Sequence, residues 1–99
     1  MTSDRARFHP EAAIEVEAAI EWYRARSVRA GNEFIGELDQ AIGEILQSPT
    51  RWRCVFGPWR RYVLHRFPFL IVYREASAGI EIVAVAHGRR QPGYRRDRG

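Results

Sequence analysis

The hydrophobic pattern changes its period at Pro49, and no other feature of the sequence constrains the fold as strongly. Before Pro49, apolar residues such as Phe34, Leu38 and Ala41 recur at helical spacing. After it, runs rich in valine, isoleucine, tyrosine and phenylalanine are typical of β-strands. A chain that is first helical and then extended favours an α+β fold, with the helices packed on one face of a sheet.

Two helices are predicted before Pro49. The first runs from about Pro10, which suits the first turn of a helix, to about Arg26. A break is predicted over Ser27–Asn32, although Gly31 and Asn32 could lie in an early turn of the second helix. The second helix ends at Pro49 because the residue before a proline avoids the α conformation. Two apolar stripes joined by so short a break predict an antiparallel helical hairpin.

Two glycines lower the helix propensity of the second helix. Gly36 and Gly43 lie seven positions apart, and therefore on the same face of that helix. Because neither carries a side chain, their position would allow a close approach of the two helices at this face.

Three strand-like runs follow the helices, namely Arg60–Phe67, Phe69–Glu75 and Gly79–His87. In the last run, alternation predicts two mostly apolar faces, formed by Ile80, Ile82, Ala84 and Ala86 on one side and by Glu81, Val83, Val85 and His87 on the other. This run is therefore expected to be an interior strand. Arg5–Phe8 is a short candidate for a first strand. The predicted order is β-α-α-β-β-β, a helical hairpin on one face of a mostly antiparallel sheet.

The length of 99 residues predicts a single domain over positions 1–99, with positions 1–4 and 95–99 flexible. No apolar signal-peptide core and no apolar run near the roughly 20 residues of a membrane span are visible. A cytoplasmic location without membrane contact is therefore expected. Cys54 is the sole cysteine and the three histidines lie in separate segments, so neither a metal site nor another cofactor is expected.

Charge is distributed unevenly along the chain. Residues 1–47 hold five arginines and nine acidic residues, a net charge of −4. Residues 48–99 hold eleven arginines and three acidic residues, a net charge of +8. The second part is therefore expected to attract an anionic partner, such as nucleic acid or an acidic protein segment.

The most basic segment is the C-terminal sequence HGRRQPGYRRDR. It begins at His87 and contains Tyr94 together with the arginines Arg89, Arg90, Arg95 and Arg96. One interpretation is a site for an anionic partner, at which His87 donates a hydrogen bond or transfers a proton. The other is a histidine at a strand end beside a solvated tail.

The predicted sheet carries further arginines, including Arg60, Arg61 and Arg66. Alternation places Arg60 and Arg66 on one face of their strand and Arg61 on the other. They could form a phosphate-binding face, or they could line an exposed polar edge of the sheet.

The tryptophans and the acidic residues of the first helix are interpreted as structural residues and not as binding residues. Tryptophans can stack on bases but more often pack in a core or on a hairpin, and this interpretation is applied to Trp22, Trp52 and Trp59. The glutamates of the first helix are interpreted as a solvated face.

The order of the elements and several motifs together resemble the RelE/ParE superfamily of bacterial type II toxin–antitoxin toxins. The matching stretches are FHPEAAIEVEAAIEWY (8–23), AGNEFIGELDQAIGEILQSP (30–49), RRYVLHRFPFLIVYRE (60–75) and IEIVAVAHGRRQPGYRRDR (80–98). The most specific pieces are RFPFLIVYR and AVAHGRRQPGY. The resemblance implies the fold predicted above. It also implies an antitoxin, encoded alongside, that wraps and neutralises the toxin.

The superfamily has two branches that differ in activity. ParE-like toxins inhibit DNA gyrase and block replication, whereas RelE-like toxins cut mRNA on the ribosome. The long hairpin, the FPFLIVY strand and the HGRR ending resemble the ParE-like branch more closely. That branch implies a plasmid-stabilisation toxin that is not itself an enzyme. It also implies gyrase contacts at His87, Arg89, Arg90, Arg95 and Arg96, with the helical hairpin as a second candidate surface.

The RelE-like alternative implies an endoribonuclease. Its chemistry needs basic groups that stabilise phosphate charge and a group that transfers a proton. Arg60, Arg61 and Arg66 would supply the charge, and His87 or Tyr94 would transfer the proton. The chain contains no lysine, which departs from that branch. A third alternative is a toxin-like protein that has lost toxicity and only binds its antitoxin.

Overall fold

The helical part of the sequence folds into two helices, α1 (Pro10–Arg26) and α2 (Val28–Gln47). The computed structural model describes residues 5–88 of the chain. His9 caps the start of α1, where its Nδ1 accepts a hydrogen bond from the backbone N–H of Glu11 at 3.2 Å. The predicted bounds of α1 are therefore confirmed.

The predicted break between the helices is longer than the break that forms. Ser27 alone separates α1 from α2. Its backbone N–H donates to the carbonyl of Tyr23 at 2.9 Å, and its Oγ accepts from the N–H of Ala30 at 3.3 Å. Ser27 thus satisfies groups at the end of one helix and at the start of the next, so no longer loop is needed.

Within residues 5–88, five strands form one sheet in the order β1-β5-β4-β3-β2. Their bounds are β1 (Ala6–Phe8), β2 (Cys54–Phe56), β3 (Trp59–Val63), β4 (Phe69–Ala76) and β5 (Gly79–His87). β1 pairs with β5 in parallel, and the other three pairings are antiparallel. The predicted α+β class is confirmed. The short strand β2 was not predicted, and β3 ends at Val63 rather than at the predicted Phe67.

Both helices pack on one face of the sheet, where they form the main core. This core joins residues of α1 such as Val16, residues of α2 such as Leu38, and sheet residues such as Ile71 and Tyr73. A smaller cluster around Trp59 lies on the opposite face and contains no helical residue. β5 lies between β1 and β4, which confirms that it is an interior strand.

A β-bulge in β5 changes which side chains face the helices. Tyr73 of β4 pairs with Ile82, whereas the preceding Val72 pairs with Ala84. Val83 is therefore an extra residue in β5, between the two residues that pair with Val72 and Tyr73. Such a residue interrupts the alternation of side chains along a strand.

The bulge overturns the predicted alternation in the last strand. Ile82 and Val85 both belong to the core beneath the helices, although they are an odd number of residues apart. Val83 and Ala84 both lie in the cluster on the opposite face. His87, two positions beyond Val85, consequently lies on the helical side. Among the described helices, neither combines the length and the apolar composition that crossing a membrane requires.

Candidate functional site

His87 ends β5 beside a groove on the helical side of the sheet. It pairs with Phe69 of β4, and the centroids of the two rings are 5.5 Å apart. The side chain is half-buried. The groove lies between α1 and the adjoining ends of β4 and β5, and has a volume of about 630 Å³. Its lining residues are Glu11, Ile14, Glu15, Ala18, Ala19, Trp22, Tyr23, Pro68, Phe69, Val85 and His87.

The α1 wall of this groove is an exposed apolar stripe. Ile14, Ala18 and Trp22 lie four residues apart, so they follow one another along one face of the helix. Ile14 is 64% exposed and Trp22 is 51% exposed. The core-facing stripe of α1 is separate and contains Ala12 and Val16. A helix with apolar residues on two faces is the sequence signal that indicates such a groove, and sequence analysis did not use it.

Trp22 lies outside the core, which was one of the two locations predicted for it, and is 51% exposed. The guanidinium carbon of Arg26 lies 3.4 Å above the centre of its ring, and Tyr23 contacts the ring edge at a centroid distance of 5.0 Å. The packing interpretation holds for Trp59, which is buried, and for Trp52, which packs against the core.

Glu15 connects α1 to β5 at the floor of the groove. Its Oε1 accepts a hydrogen bond from the backbone N–H of Val85 at 2.9 Å. β1 pairs with β5 only over Ile80–Ile82, so Val85 lies beyond the reach of that strand. The carboxylate takes the place of a neighbouring strand at this position. The interpretation of the α1 glutamates as a solvated face is therefore wrong for Glu15.

The predicted sheet arginines face different surroundings. Nη1 of Arg60 donates to the carbonyl oxygens of Trp52 at 2.7 Å and of Thr50 at 3.2 Å. Arg60 thus holds the segment that leads into β2. Arg61 follows it in β3, points to the opposite face of the sheet and is exposed. These two arginines do not share a surface.

Arg66 is held by α2 through a buried carboxylate. Its Nε lies 3.3 Å from Oε1 of Glu37, a residue that is only 8% exposed. Glu37 also accepts hydrogen bonds from the backbone N–H groups of His65 and Arg66. One carboxylate therefore anchors the β3–β4 connection to α2. Sequence analysis missed Glu37, since a single acid on a helix gives no signal of its distant partners.

Tyr62 lies next to this anchor and forms a second polar cluster. Its hydroxyl donates to Oε1 of Glu44 at 3.1 Å and is 3.4 Å from Nε2 of His65. Burial raises the pKa of Tyr62, and the Glu44 carboxylate raises it further. Both effects favour the neutral hydroxyl, which acts as the hydrogen-bond donor to Glu44.

The register of the sheet separates His87 from Arg60. Arg60 pairs with Tyr73, whereas His87 pairs with Phe69, four residues away along β4. At about 3.3 Å per residue, the two positions are about 13 Å apart along the strand direction. Arg66 is turned to α2. The described candidates for a nuclease site are thus not brought around one point.

The remaining predicted site residues lie outside residues 5–88, and they are Arg89, Arg90, Tyr94, Arg95 and Arg96. Within residues 5–88, no group of three or more histidine, cysteine, aspartate or glutamate side chains is placed to hold a metal ion. Cys54 is an exposed free thiol in β2.

Residues 6–92 match the family model described as ParE toxin of type II toxin-antitoxin system, parDE. The matched range contains both helices and all five strands of the described fold. No curated protein matches the chain at a significant level. The family match confirms the resemblance to the RelE/ParE superfamily. The chain therefore belongs to the ParE family of toxins of type II toxin–antitoxin systems.

Proposed function

We propose that this toxin inhibits DNA gyrase in the bacterial cytoplasm, stabilises the plasmid or other replicon that encodes it, and is neutralised by a cognate antitoxin. The observation that carries the proposal is the dispersal of the sheet arginines. Arg60 binds backbone carbonyls, Arg66 pairs with Glu37, and Arg61 is on the opposite face. Gyrase inhibition needs contacts with a partner protein, and no convergent catalytic set is required for it.

The alternative, cleavage of mRNA, places stricter demands on geometry. A base, an acid and cationic groups must surround one phosphate. To reach such a phosphate, Arg60 would have to leave the carbonyl oxygens of Thr50 and Trp52. The bond to Trp52 is part-buried and the bond to Thr50 is exposed, so giving up the two costs about 1 kcal/mol. The distance of Arg60 from His87 along β4 is a second obstacle to RNA cleavage. The described geometry therefore favours binding of a partner protein over RNA cleavage.

The proposed gyrase contacts begin at His87 and continue into the following basic sequence. They are His87, Arg89, Arg90, Arg95 and Arg96. Arginine suits such a surface because its planar fork binds carboxylates in two-point contacts. Cationic side chains at a rim mainly accelerate association and select the partner.

A supercoiling assay with purified gyrase tests the proposal. The chain is expected to inhibit the supercoiling of relaxed plasmid and to accumulate cleaved plasmid. The double variant Arg89→Ala/Arg90→Ala should raise the concentration for half-inhibition about tenfold or more, because two charge-assisted contacts are lost. The matched control Arg51→Ala/Arg53→Ala removes two exposed arginines elsewhere and should leave inhibition unchanged.

A ribosome-dependent mRNA cleavage assay tests the alternative function. If the chain cuts mRNA and leaves gyrase unaffected, the proposal is wrong. In that case His87→Ala and Tyr94→Phe should each abolish cleavage, whereas a gyrase inhibitor tolerates the loss of the Tyr94 hydroxyl. A chain that neither inhibits gyrase nor cuts mRNA also contradicts the proposal and leaves only antitoxin binding.

A further inference from the structure

The connection between β3 and β4 joins α2 to the end of β5. This connection forms neither helix nor strand. On the side of α2, the Glu37 carboxylate accepts hydrogen bonds from the backbone N–H groups of His65 and Arg66, at 3.1 Å for Arg66. On the side of the sheet, the carbonyl oxygen of Pro68 accepts from the N–H of Gly88 at 2.8 Å. The connection therefore links a helix to the residue at which the described chain ends.

The bond from Gly88 continues the sheet one step beyond the pairing of β4 with β5. His87 and Phe69 form the pair at this end of the two strands, and their ring centroids are 5.5 Å apart. The N–H of Gly88 then donates to the carbonyl of Pro68, which belongs to the connection and not to β4. The position of Gly88 consequently depends on the position of the connection.

Two kinds of contact hold the connection against the helices. The ring of Phe67 contacts Tyr23 of α1 and Phe34 of α2, at centroid distances of 4.9 and 5.3 Å. Glu37 instead holds the backbone itself, because its buried carboxylate accepts from two successive N–H groups and from Nε of Arg66. Hydrogen bonds to an ionised acceptor are stronger than those between neutral groups. Glu37 therefore fixes the path of the backbone shortly before it reaches the residue that binds Gly88.

Covalent geometry transmits this constraint to the first arginines of the C-terminal sequence. Successive Cα atoms are about 3.8 Å apart, so the Cα atoms of Arg89 and Arg90 lie within about 4 Å and 7 Å of Gly88. Arg95 and Arg96 follow seven and eight positions after Gly88, a separation that can span about 25 Å. A fixed Gly88 therefore restricts the first two arginines strongly and the last two weakly.

We propose that Glu37 is a positioning residue for the gyrase contacts at Arg89 and Arg90. Through the β3–β4 connection it holds Gly88, and it thereby limits the positions that the two arginines can take. Less conformational freedom is then lost when they bind a partner, so the contact is stronger. The inference rests on the proposed function, which includes those two contacts.

Hydrogen exchange at the Gly88 N–H, measured by NMR on the full chain, tests the link without gyrase. Glu37→Ala should raise this exchange rate about tenfold, because the connection can then open locally. The control Ile80→Ala removes a buried core side chain near the other end of β5 and also destabilises the fold. It should leave the Gly88 rate unchanged, since an N–H at a strand end exchanges by local opening. Unchanged exchange in Glu37→Ala, or an equal increase in Ile80→Ala, overturns the proposal.

A milder pair of variants serves if the alanine variants do not fold. Glu37→Asp keeps the carboxylate but shortens the side chain by one carbon–carbon bond, about 1.5 Å. Its control is Ile80→Val, which removes a single buried methyl group. The Gly88 exchange rate should again rise in the Glu37 variant and stay unchanged in the control, and equal rates in the two variants overturn the proposal.

A double-mutant cycle in the supercoiling assay tests the consequence for gyrase. Glu37→Ala should raise the concentration for half-inhibition about fivefold, whereas Glu37→Gln keeps an oxygen acceptor and should restore most of the inhibition. Added to Arg89→Ala/Arg90→Ala, Glu37→Ala should have no further effect, because the contacts that it positions are absent. Added to Arg95→Ala/Arg96→Ala, it should still weaken inhibition about fivefold. The same loss in both backgrounds would indicate a general loss of stability and overturn the proposal.

The two measurements distinguish failure of this proposal from failure of the proposed function. If the native chain inhibits gyrase but Glu37→Ala changes neither exchange nor inhibition, the proposed target stands and Glu37 is not a positioning residue. If the native chain does not inhibit gyrase, the proposed contacts are wrong and Glu37 positions no gyrase contact. Hydrogen exchange then still shows whether Glu37 holds Gly88, because that measurement involves no gyrase.

Discussion

Tyr73 shows how a single buried hydroxyl makes the stability of the protein depend on pH. The side chain is fully buried, and its hydroxyl donates to the carbonyl of Pro49 at 2.6 Å. Burial raises the pKa of Tyr73 to about 12. In the unfolded chain the pKa of tyrosine is near 10. The contribution of Tyr73 is therefore fully present below pH 10 and is lost as the pH rises from about 10 to about 12.

The substitution Tyr73→Phe isolates this contribution. At pH 7 it should lower the free energy of unfolding by about 1 kcal/mol, since one hydrogen bond is lost. Between pH 9 and 12 the native protein should lose about 2–3 kcal/mol more stability than the variant. Urea denaturation across this range measures the difference. Burial also raises the pKa of Tyr23 and Tyr62, but these residues are present in both proteins and cancel. If the native protein and the variant lose stability in parallel as the pH rises, Tyr73 has the same pKa in the folded and the unfolded chain, and this prediction is wrong.

Glu37 is expected to contribute more to the free energy of unfolding than Arg66, with which it forms an ion pair. Glu37→Ala leaves the backbone N–H groups of His65 and Arg66 without their acceptor, and should cost about 3 kcal/mol. Arg66→Ala removes a guanidinium that is 61% exposed, and should cost less than about 1 kcal/mol. Chemical denaturation of the two variants tests this order. Equal losses would mean that the ion pair, and not the backbone anchor, carries the stability.

Single residues also show why the candidate site could be predicted only in part. His87 was selected from its place at a strand end, and the structure puts it in a groove. General preference predicts core or hairpin packing for Trp22, but it belongs to the second apolar stripe of α1 and is exposed. Glu15 and Glu37 bond to backbone groups 70 and 28 residues away, respectively. Contacts at such separations depend on the tertiary fold and leave no local pattern.

At the scale of elements, the helices and the long strands were predictable because each follows one hydrophobic period. The departures occur where a single residue interrupts that period. Val83 adds a bulge, so the side chains beyond it exchange faces and His87 turns to the helices. Ser27 caps two helices at once and shortens the expected break. Neither event changes composition enough to be detected in a sequence window.

The close approach of the helices that Gly36 and Gly43 would allow does not form. Both glycines are exposed, and a Cβ added at either would meet nothing within 4 Å. Gly31 makes the close approach instead, because a Cβ there would lie 2.3 Å from Cγ of Arg24 in α1. The seven-residue spacing correctly predicted a shared face, but it did not determine which face turns towards the neighbouring helix.

Two glycine substitutions should therefore change stability in opposite directions. Gly43→Ala adds a methyl group in open space on α2 and should stabilise the protein by about 0.5–1 kcal/mol. Gly79→Ala starts from a backbone φ of +150°, and its Cβ would lie 1.8 Å from the carbonyl oxygen of Arg5. It should destabilise by about 1–3 kcal/mol and weaken the pairing of β1 with β5. Thermal unfolding of both variants tests the signs. Stabilisation by Gly79→Ala would contradict this account of the turn.

At the scale of the whole molecule, the two halves of the sequence carry opposite net charge. Residues 1–47, which contain β1 and both helices, have a net charge of −4, and residues 48–99, which contain the other strands, have a net charge of +8. Partners of opposite charge are therefore drawn to different parts of the protein. An acidic partner surface should then favour the part of the chain that contains the proposed gyrase contacts.

Expression in bacteria without the antitoxin tests the proposed target, with pulse labelling of DNA and protein synthesis as the readout. The native chain should stop DNA synthesis first. Arg89→Ala/Arg90→Ala should lose the arrest and still bind the antitoxin. An arrest of protein synthesis before DNA synthesis would identify the ribosome as the target. Joint loss of arrest and antitoxin binding in a folded variant would mean that one surface serves both partners.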